Sequence, residues 1–457
     1  MPNASRAASA AADAAAPLDG AEFAALVAHC APFENRPEIA VALSGGPDSL
    51  ALTLLLKDWA AVAGGRLHAY TVDHGLRRDS AREAAEVGAF CAAQGIAHRI
   101  LVWRGDKPRS GVQAAARAAR LSLLETACRA DGILHLFLAQ HADDQAETFL
   151  LRLESGSGPQ GLAAMQPVVH RPQLRLLRPL LAQPKARLIE TLRQRGVSWL
   201  EDPSNSAPAY RRSVLRGLLA DLAQLGLPAE RFAETAAGFA VARRGLEGRT
   251  ANLLARSVTL SPAGYAWLDP AAWQAAPREA ARLALAALLK TLSGAAYPPR
   301  GARLDSLLTR ILAGLDRGAT LSGCRILPRK QGLLVCREAS ATAPSAALSG
   351  GAAFWDGRFR LAVEGAALAG ATLGPLTAEG WKAAAGLSPE LRDLPLPGAV
   401  RPSLPALRAG AQLLALPVLG WRGPDLPPSA TIRCDFAPKN PLTSAPFTVA
   451  WAPMHII

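Results

Sequence analysis

Several absences narrow the class of this protein before any motif is considered. Its six cysteines, Cys30, Cys91, Cys128, Cys324, Cys336 and Cys434, are scattered over 457 residues and form neither a CxxC pair nor a zinc-ligand spacing. A disulfide scaffold and a zinc module are therefore excluded, and free buried thiols are expected. No stretch approaches the roughly 18 consecutive apolar residues of a membrane span, because charges and prolines interrupt every candidate. The first 20 residues are rich in Ala, carry Arg6 as their one cation and lack the apolar core of a secretory signal. A flexible tail over residues 1–30 and a soluble, cytoplasmic protein with no membrane partner are the expectation. Aromatic residues make up only 5% of the chain, little material for a platform that stacks single-stranded nucleic acid. No Gly-x-x-x-x-Gly-Lys-Ser/Thr loop follows the first strand, so a Walker-type phosphate site is excluded there.

What is present begins with size and charge. At roughly 100 to 200 residues per domain the length implies two to four domains. The net charge of +13 is unevenly spread: residues 1–150 carry 14 cations against 17 anions, 151–337 carry 27 against 12, and 338–457 carry 9 against 8. The basic middle block includes Arg171, Arg175, Arg178, Lys185, Arg187, Arg193, Arg195, Arg211, Arg212 and Arg216. Such a run suits a polyanion, since each phosphate contact releases counterions.

The apolar patterning places strands at 38–43, 66–72, 97–102 and 133–139, alternating with helices at 48–60, 79–94, 111–130 and 144–153. That alternation implies right-handed crossovers and a parallel sheet covered on both faces, with ligands beyond the carboxyl ends of the strands. Residues 155–180 read as loop, 181–200 as helix and 201–208 as a turn cluster. Helices are expected over 210–255 and 278–316, and a hairpin over 319–337 with Lys330, Gln331 and Gly332 near its tip. A linker rich in Ala, Ser, Thr, Pro and Gly follows at 339–351, and then a small β-rich region.

The chemistry-bearing residues fall just after the strands. Ser44-Gly45-Gly46-Pro47-Asp48-Ser49 joins the first strand to its helix. Two glycines let the backbone turn tightly and approach an anion, and the helix start adds partial positive charge. A plain helix cap needs neither both glycines nor both serines. His141, Asp143, Asp144 and Glu147 follow the strand at 133–139; Asp144 and Glu147 alone have capping-box spacing, whereas a second carboxylate and a histidine suit hard-cation ligation and proton transfer. Asp73 and His74 sit at the end of the second strand, and Arg117 and Arg120 share one helical face. Gly156 to Gly161 satisfies GxGxxG but follows a helix, so it reads as a loop and not as a dinucleotide site.

The Ser44–Ser49 loop resembles the SGGxDS loop of the N-type ATP pyrophosphatases. Taken in order, SGGPDS, VDHGLR, the QAAAR helix, HADDQAET with GSGPQGLAAM, LLRPLL, and WLEDPSN before YRRSVLR resemble the tRNA(Ile)-lysidine synthase family over about residues 38–216. The resemblance implies an α/β fold: a parallel-sheet, Rossmann-like PP-loop domain at 31–220, a basic helical tRNA-binding domain at 221–337, a linker at 338–351 and a β-rich domain at 352–457. It implies a ligase that adenylates C2 of the wobble cytidine of an isoleucine tRNA with a CAU anticodon, releases pyrophosphate, and lets free L-lysine displace AMP. Ser44, Gly45, Gly46, Pro47, Asp48 and Ser49 would bind ATP, and Asp48 with Asp144 would hold Mg²⁺. Asp48, Asp144, Glu147, Arg117 and Arg212 would be catalytic, with Asp73, His74, His141 and Asp143 in the pocket and Arg178, Arg211 and Arg216 on tRNA. The chain departs from the family pattern at Gln113, Leu121 and Ser213. A thiolase of the same superfamily and a non-catalytic tRNA-binding protein are the rival readings; the sequence leaves the oligomeric state open, a homodimer included.

Overall fold

The β1 strand, Glu38–Ala42, buries residues on both of its faces: Ile39 and Val41 point into one apolar cluster and Ala40 into another. That two-sided burial marks a central strand of a covered parallel sheet. The computed structural model describes residues 16–443 apart from 77–78, 106, 109, 172, 201–210, 350, 366–367 and 369. The turn expected at 201–208 lies outside the described residues, as do the side chains of 211–213.

In chain order the first unit contains α1 (Gly20–Ala28), β1, α2 (Pro47–Val62), β2 (Arg66–Asp73), α3 (Ser80–Ala93), β3 (Ala97–Val102), α4 (Val112–Ala130), β4 (His135–Phe137), α5 (Ala142–Glu154), β5 (Val168–His170), β6 (Arg175–Leu177), α6 (Lys185–Gln194) and α7 (Arg211–Gln224). The sheet order is β3-β2-β1-β4-β6-β5, with β5 alone antiparallel. Helix α2 is buried nearly all round, through Leu50, Leu52 and Leu54 to Leu56, because it lies between the sheet and α1, with α6 beside it. Helix α4 contributes Leu124, Ala127 and Cys128 to the cluster on the opposite face.

Three expectations are corrected here. The segment 16–30 is not a tail: Asp19 caps α1, and Leu18, Phe23, Val27 and Cys30 are buried in the main core. Their spacing, obscured by alanines, is that of a one-faced helix. The loop assigned to 155–180 contains β5 and β6, three-residue strands too short to show a period. The helix expected over 181–200 is confined to Lys185–Gln194, starting just after Pro184.

Helix α8 (Ala229–Ser257) leads into a second unit, Arg244–Ser444. There β7 (Val258–Ser261), β8 (Tyr265–Leu268), β9 (Ala319–Leu321), β10 (Cys324–Arg329) and β11 (Gly332–Arg337) form an antiparallel sheet ordered β7-β8-β11-β10-β9. The hairpin expected at 319–337 is β10–β11, turning at Lys330 and Gln331. Helices α9 (Arg278–Ser293) and α10 (Ala302–Leu312) share a core with this sheet. The remaining strands are β12 (Ala346–Ala347), β13 (Ala352–Trp355), β14 (Phe359–Glu364), β15 (Ala371–Pro375), β16 (Pro405–Ala409), β17 (Gln412–Leu416), β18 (Trp421–Arg422) and β19 (Thr431–Phe436), in two further sheets accompanied by α11 (Thr377–Leu387).

A buried charge cluster ties these sheets together. Asp356, in the left-handed region at φ 52°, accepts from Arg337 at 3.1 Å and from Arg358 at 2.7 and 2.9 Å, and also from the Ala343 amide at 3.0 Å. Arg358 reaches back to the Gly264 carbonyl, and Arg337 to those of Gly323 and Ala341. The 339–351 segment, expected as a linker, thus runs over a fully bonded anchor. All six cysteines are free thiols, five buried and Cys434 half-buried. Replacing Asp356 by Ala would leave two buried guanidiniums without their counter-ion. The expected loss is about 3–5 kcal/mol of unfolding free energy, measured by urea denaturation.

Candidate active site

The order of the sheet fixes where the site lies. The order in which strands are added reverses between the parallel strands β1 and β4, so the loops that leave their carboxyl ends part and open a crevice. One side of the crevice is the Ser44–Ser49 loop, and the other is the start of α5.

In the first loop the two glycines have different jobs. Gly45 has φ +82°, and a Cβ there would lie 2.8 Å from Val87 Cγ2 and 2.9 Å from Leu200 Cδ1. Its amide carbonyl also accepts from Leu200 N at 3.1 Å, so this glycine is needed for the turn and its packing. Gly46 has φ −74° and caps α2, and a Cβ there would meet only Ser44 Oγ, at 3.7 Å. Its missing side chain leaves space beside the helix start, where an anion would sit. Ser49 locks the turn: its hydroxyl donates to Gly46 O at 3.0 Å and accepts from Ser44 N at 3.1 Å. Ser44 Oγ lies 3.1 Å from Ser49 Oγ and is exposed at the loop surface.

Across the crevice His141 forms the start of α5 and gathers three carboxylates. Its Nδ1 lies 3.1 Å from Asp143 Oδ2, and its Nε2 lies 3.5 Å from Asp48 Oδ2 and 3.6 Å from Asp144 Oδ2. Its backbone N–H donates to Asp144 Oδ2 at 3.2 Å. Burial disfavours the imidazolium, but hydrogen bonds to Asp143 and Asp48 and the charges of Asp144 and Asp48 outweigh it and push the ring up to about 10. Burial works to raise Asp143, yet His141 and the Lys185 amide hold its carboxyl below the usual range. Lys185 Nζ is 3.9 Å from Asp48 Oδ2. Asp48 Oδ1 is buried and has no hydrogen-bond partner among the described residues.

Glu147, one turn into α5, is 2% exposed, and its Oε1 accepts from Arg216 Nε of α7 at 2.6 Å. Burial disfavours the Arg216 charge, but Glu147, Asp144 and Asp48 hold its guanidinium above its ordinary value. On α4, Arg117 is exposed and Arg120 half-buried. Burial, the like charge of Arg117 and the opposing pull of Asp144 act on Arg120, with a net lowering. Arg178, lowered to about 10 by burial and by Arg117, donates to Gln140 Oε1 at 2.9 Å and to Gln166 O at 3.0 Å. At the end of β2 the Gly75 amide donates to Asp73 Oδ1 at 2.8 Å, and His74 stands edge-on to Trp103 at 6.1 Å between centroids.

The site residues expected from sequence thus divide by position. Ser44 to Ser49, His141, Asp143, Asp144 and Glu147 surround the crevice, Asp73 and His74 lie at the neighbouring strand end, and Arg211 and Arg212 have no described side chains. Part of the arginine run read as polyanion-facing is engaged within the protein, while Arg193, Arg195 and Arg216 are exposed. Arg175 is 1% exposed and donates to the carbonyls of Cys30, Ala31 and Pro32; Arg171 pairs with Glu125, Arg187 with Glu22 and Arg195 with Asp58.

Sequence reading passed over Trp103 and Lys107, gave Gln145 no role, and counted Lys185 only among the basic run. Gln145 donates to Met165 O at 3.0 Å and accepts from Met165 N at 2.8 Å, clamping the loop after α5. Its place inside an acidic helix start was the one available signal; Lys185 reaches Asp48 only through the fold.

A PP-loop domain model matches residues 20–222. Over 396 residues the chain is 38% identical to a tRNA(Ile)-lysidine synthase of Ruegeria pomeroyi, covering 85% of this chain and 91% of that one. It is 41% identical to the Bradyrhizobium sp. tRNA(Ile)-lysidine synthase over 66% of this chain and 87% of that protein, and 42% identical to the Mesorhizobium japonicum one over 69% and 70%. Among solved structures a U34-tRNA thiolase of Methanococcus maripaludis matches with a TM-score of 0.42 at 17% identity, over 48% of this chain and 76% of that one.

The two glycines give a paired prediction. Gly45→Ala is expected to destabilise the fold by about 1–2 kcal/mol through its left-handed backbone alone, with more from the clash. Gly46→Ala should keep its melting temperature within a few degrees yet raise the KM for the nucleotide at least tenfold. Thermal unfolding and steady-state kinetics on both variants check this.

Proposed function

This chain belongs to the tRNA(Ile)-lysidine synthase family, and from that premise we propose how its own residues join L-lysine to the wobble cytidine of a CAU-anticodon isoleucine tRNA. It is a ligase that uses ATP and acts on tRNA. In the proposed reaction the oxygen on C2 of the cytidine attacks the α-phosphate; a P–O bond forms, the bond to pyrophosphate breaks, and adenylated cytidine results. The ε-amine of lysine then attacks C2, the C2–O bond breaks, and AMP leaves with that oxygen.

The observation that carries the reading is the meeting of the Ser44–Ser49 loop with His141, Asp144 and Glu147 across one crevice. The loop amides, the Ser44 hydroxyl and the start of α2 would hold the pyrophosphate. Arg117, and Arg212 in the same role, would offset charge that builds at the α-phosphate. A protonated lysine has no lone pair, so a carboxylate must accept its proton; Asp144 or Glu147, at the start of α5, would take it. The buried Glu147 accepts a hydrogen bond from Arg216 at 2.6 Å.

The residues present also fit a magnesium ion. Asp48 Oδ1 is a buried carboxylate oxygen with no described partner, and Asp144 stands across the crevice. Magnesium characteristically takes one or two carboxylates together with phosphate oxygens and water. Asp48 and Asp144 would hold the ion, which when bound neutralises charge on the departing diphosphate.

Amine transfer is favoured over sulfur transfer by the cysteines of this unit. Burial pushes Cys30 and Cys91 up to about 11 and Cys128, aided by Asp131, to about 12, so none is a ready thiolate. The tRNA contacts are proposed to lie on Arg178, Arg211 and Arg216 and on the basic region 221–337, with the 352–457 region beyond them. No described helix is long and apolar enough to cross a membrane; a cytoplasmic location is part of the proposal.

Incubation with ATP, lysine and unmodified tRNA is expected to yield lysine-dependent AMP and a wobble nucleoside heavier by lysine less water, read by mass spectrometry. Asp48→Asn should lower AMP formation at least a thousandfold while tRNA binding stays within threefold. Glu147→Gln should raise the KM for lysine at least tenfold and leave the KM for ATP within twofold. An unmodified cytidine with wild-type protein would overturn the assignment.

A further inference from the structure

The β3–α4 loop carries an aromatic and cationic element that the reaction described above leaves unused. Trp103 directly follows β3, and its amide donates to Asp73 O at 2.9 Å, so the ring is fixed to the carboxyl end of the sheet. Lys107 folds back over it, with Nζ 4.3 Å from the indole centroid. That ammonium also donates to Trp103 O and to Gly105 O at 3.3 Å. Two of its three N–H groups are thereby committed, and its charge stays at the mouth of the loop. The ring is half-buried, so part of it faces solvent.

The surroundings indicate what the ring would meet. The described residues of 103–120 include four cations, Arg104, Lys107, Arg117 and Arg120, and no acid. His74 stands edge-on to the indole, and its Nδ1 is buried with no hydrogen-bond partner among the described residues. Burial first, then Arg120, lower that imidazole's proton affinity; Asp73 pulls the other way and Lys107 adds a smaller lowering. The indole stands against His74, whose imidazole feels the charge of Arg120, and Arg120 in turn feels that of Asp144. A partly exposed ring, an unsatisfied neutral ring nitrogen and surplus cations together suit one nucleotide of a single strand: base on indole, polar edge on His74, phosphate on ammonium. The adenine end of ATP carries no charge and would not call for the cations.

Resting on the lysidine synthase reading, we propose that Trp103 stacks an unpaired base of the tRNA anticodon loop beside the modified cytidine, and that Lys107 meets that nucleotide's phosphate. Trp103 is then a binding residue for tRNA and not for ATP.

Binding to an unmodified, CAU-anticodon tRNA(Ile) transcript, with EDTA and without ATP or lysine, tests this apart from any ligation. Trp103→Ala should raise the Kd for the transcript tenfold or more, Trp103→Phe by no more than about threefold, and neither should alter the Kd of a non-hydrolysable ATP analogue. Lys107→Gln should lower the slope of log Kd against log salt by about one. The tRNA-induced fluorescence quench of wild type should exceed that of Trp103→Phe. An unchanged tRNA Kd for a folded Trp103→Ala overturns the proposal, as does a loss confined to the ATP analogue. If Trp103→Ala does not fold, equal quenching in wild type and Trp103→Phe overturns it. Failure of the wild type to make lysidine would sink the functional reading instead, which these binding measurements do not use.

Discussion

A protonated imidazole holds the crevice together. Asp48 belongs to the loop after β1, and Asp143 and Asp144 belong to the helix after β4; nothing in the backbone ladder joins those two loops. His141 does, with Asp48 on Nε2 and Asp143 on Nδ1. Carboxylates brought this close would repel one another and take up protons. A cation among them offsets that repulsion, and Asp48 keeps one buried oxygen with no hydrogen-bond partner among the described residues. The same histidine therefore shapes the helix start, holds the Asp143 carboxyl below its usual range and spans the point where the strand order reverses.

The positive charge of the middle block has a more internal use than its sum suggests. Arg175 satisfies three carbonyls around the residue 30–32 turn, Arg187 fixes α1 through Glu22, and Arg178 ties Gln140 to the loop at Gln166. Buried arginines need such partners, since an unpaired guanidinium in the interior is costly. Charge counted along the chain thus overstates the surface open to RNA. The cations that remain grouped near the crevice, Arg117 and Arg120 on α4 and Lys107 on the preceding loop, are fewer but better placed, and they depress one another's or His74's proton affinity. Mutual repulsion among like charges is affordable where a polyanion will relieve it.

In the second unit the same chemistry serves architecture. Asp356 between Arg337 and Arg358 links the end of β11 to the β13–β14 turn, and Arg358 continues to the β7–β8 turn. Hydrophobic packing follows the same route: Tyr265, Leu334 and Cys336 share a cluster with Leu376, Trp381 and Leu404. Regions that differ in composition along the sequence are therefore one packed body here, because an apolar sheet face left by the first segment is covered by the second.

The sequence by itself determined the α/β alternation, the phosphate loop and the acidic helix start, because each is a local pattern: period-two and period-3.6 burial, two glycines before a helix, carboxylates at a helix N-terminus. It could not reveal β5 to β8, which are too short to show a period, or α1, whose apolar face is diluted by alanine. Only the tertiary structure decided that His141 meets Asp48, that Lys185 and Arg216 reach the same carboxylates, and which arginines are buried. Those facts depend on which strands become neighbours, and strand order is set by packing across the whole sheet, not by any window of residues along the chain.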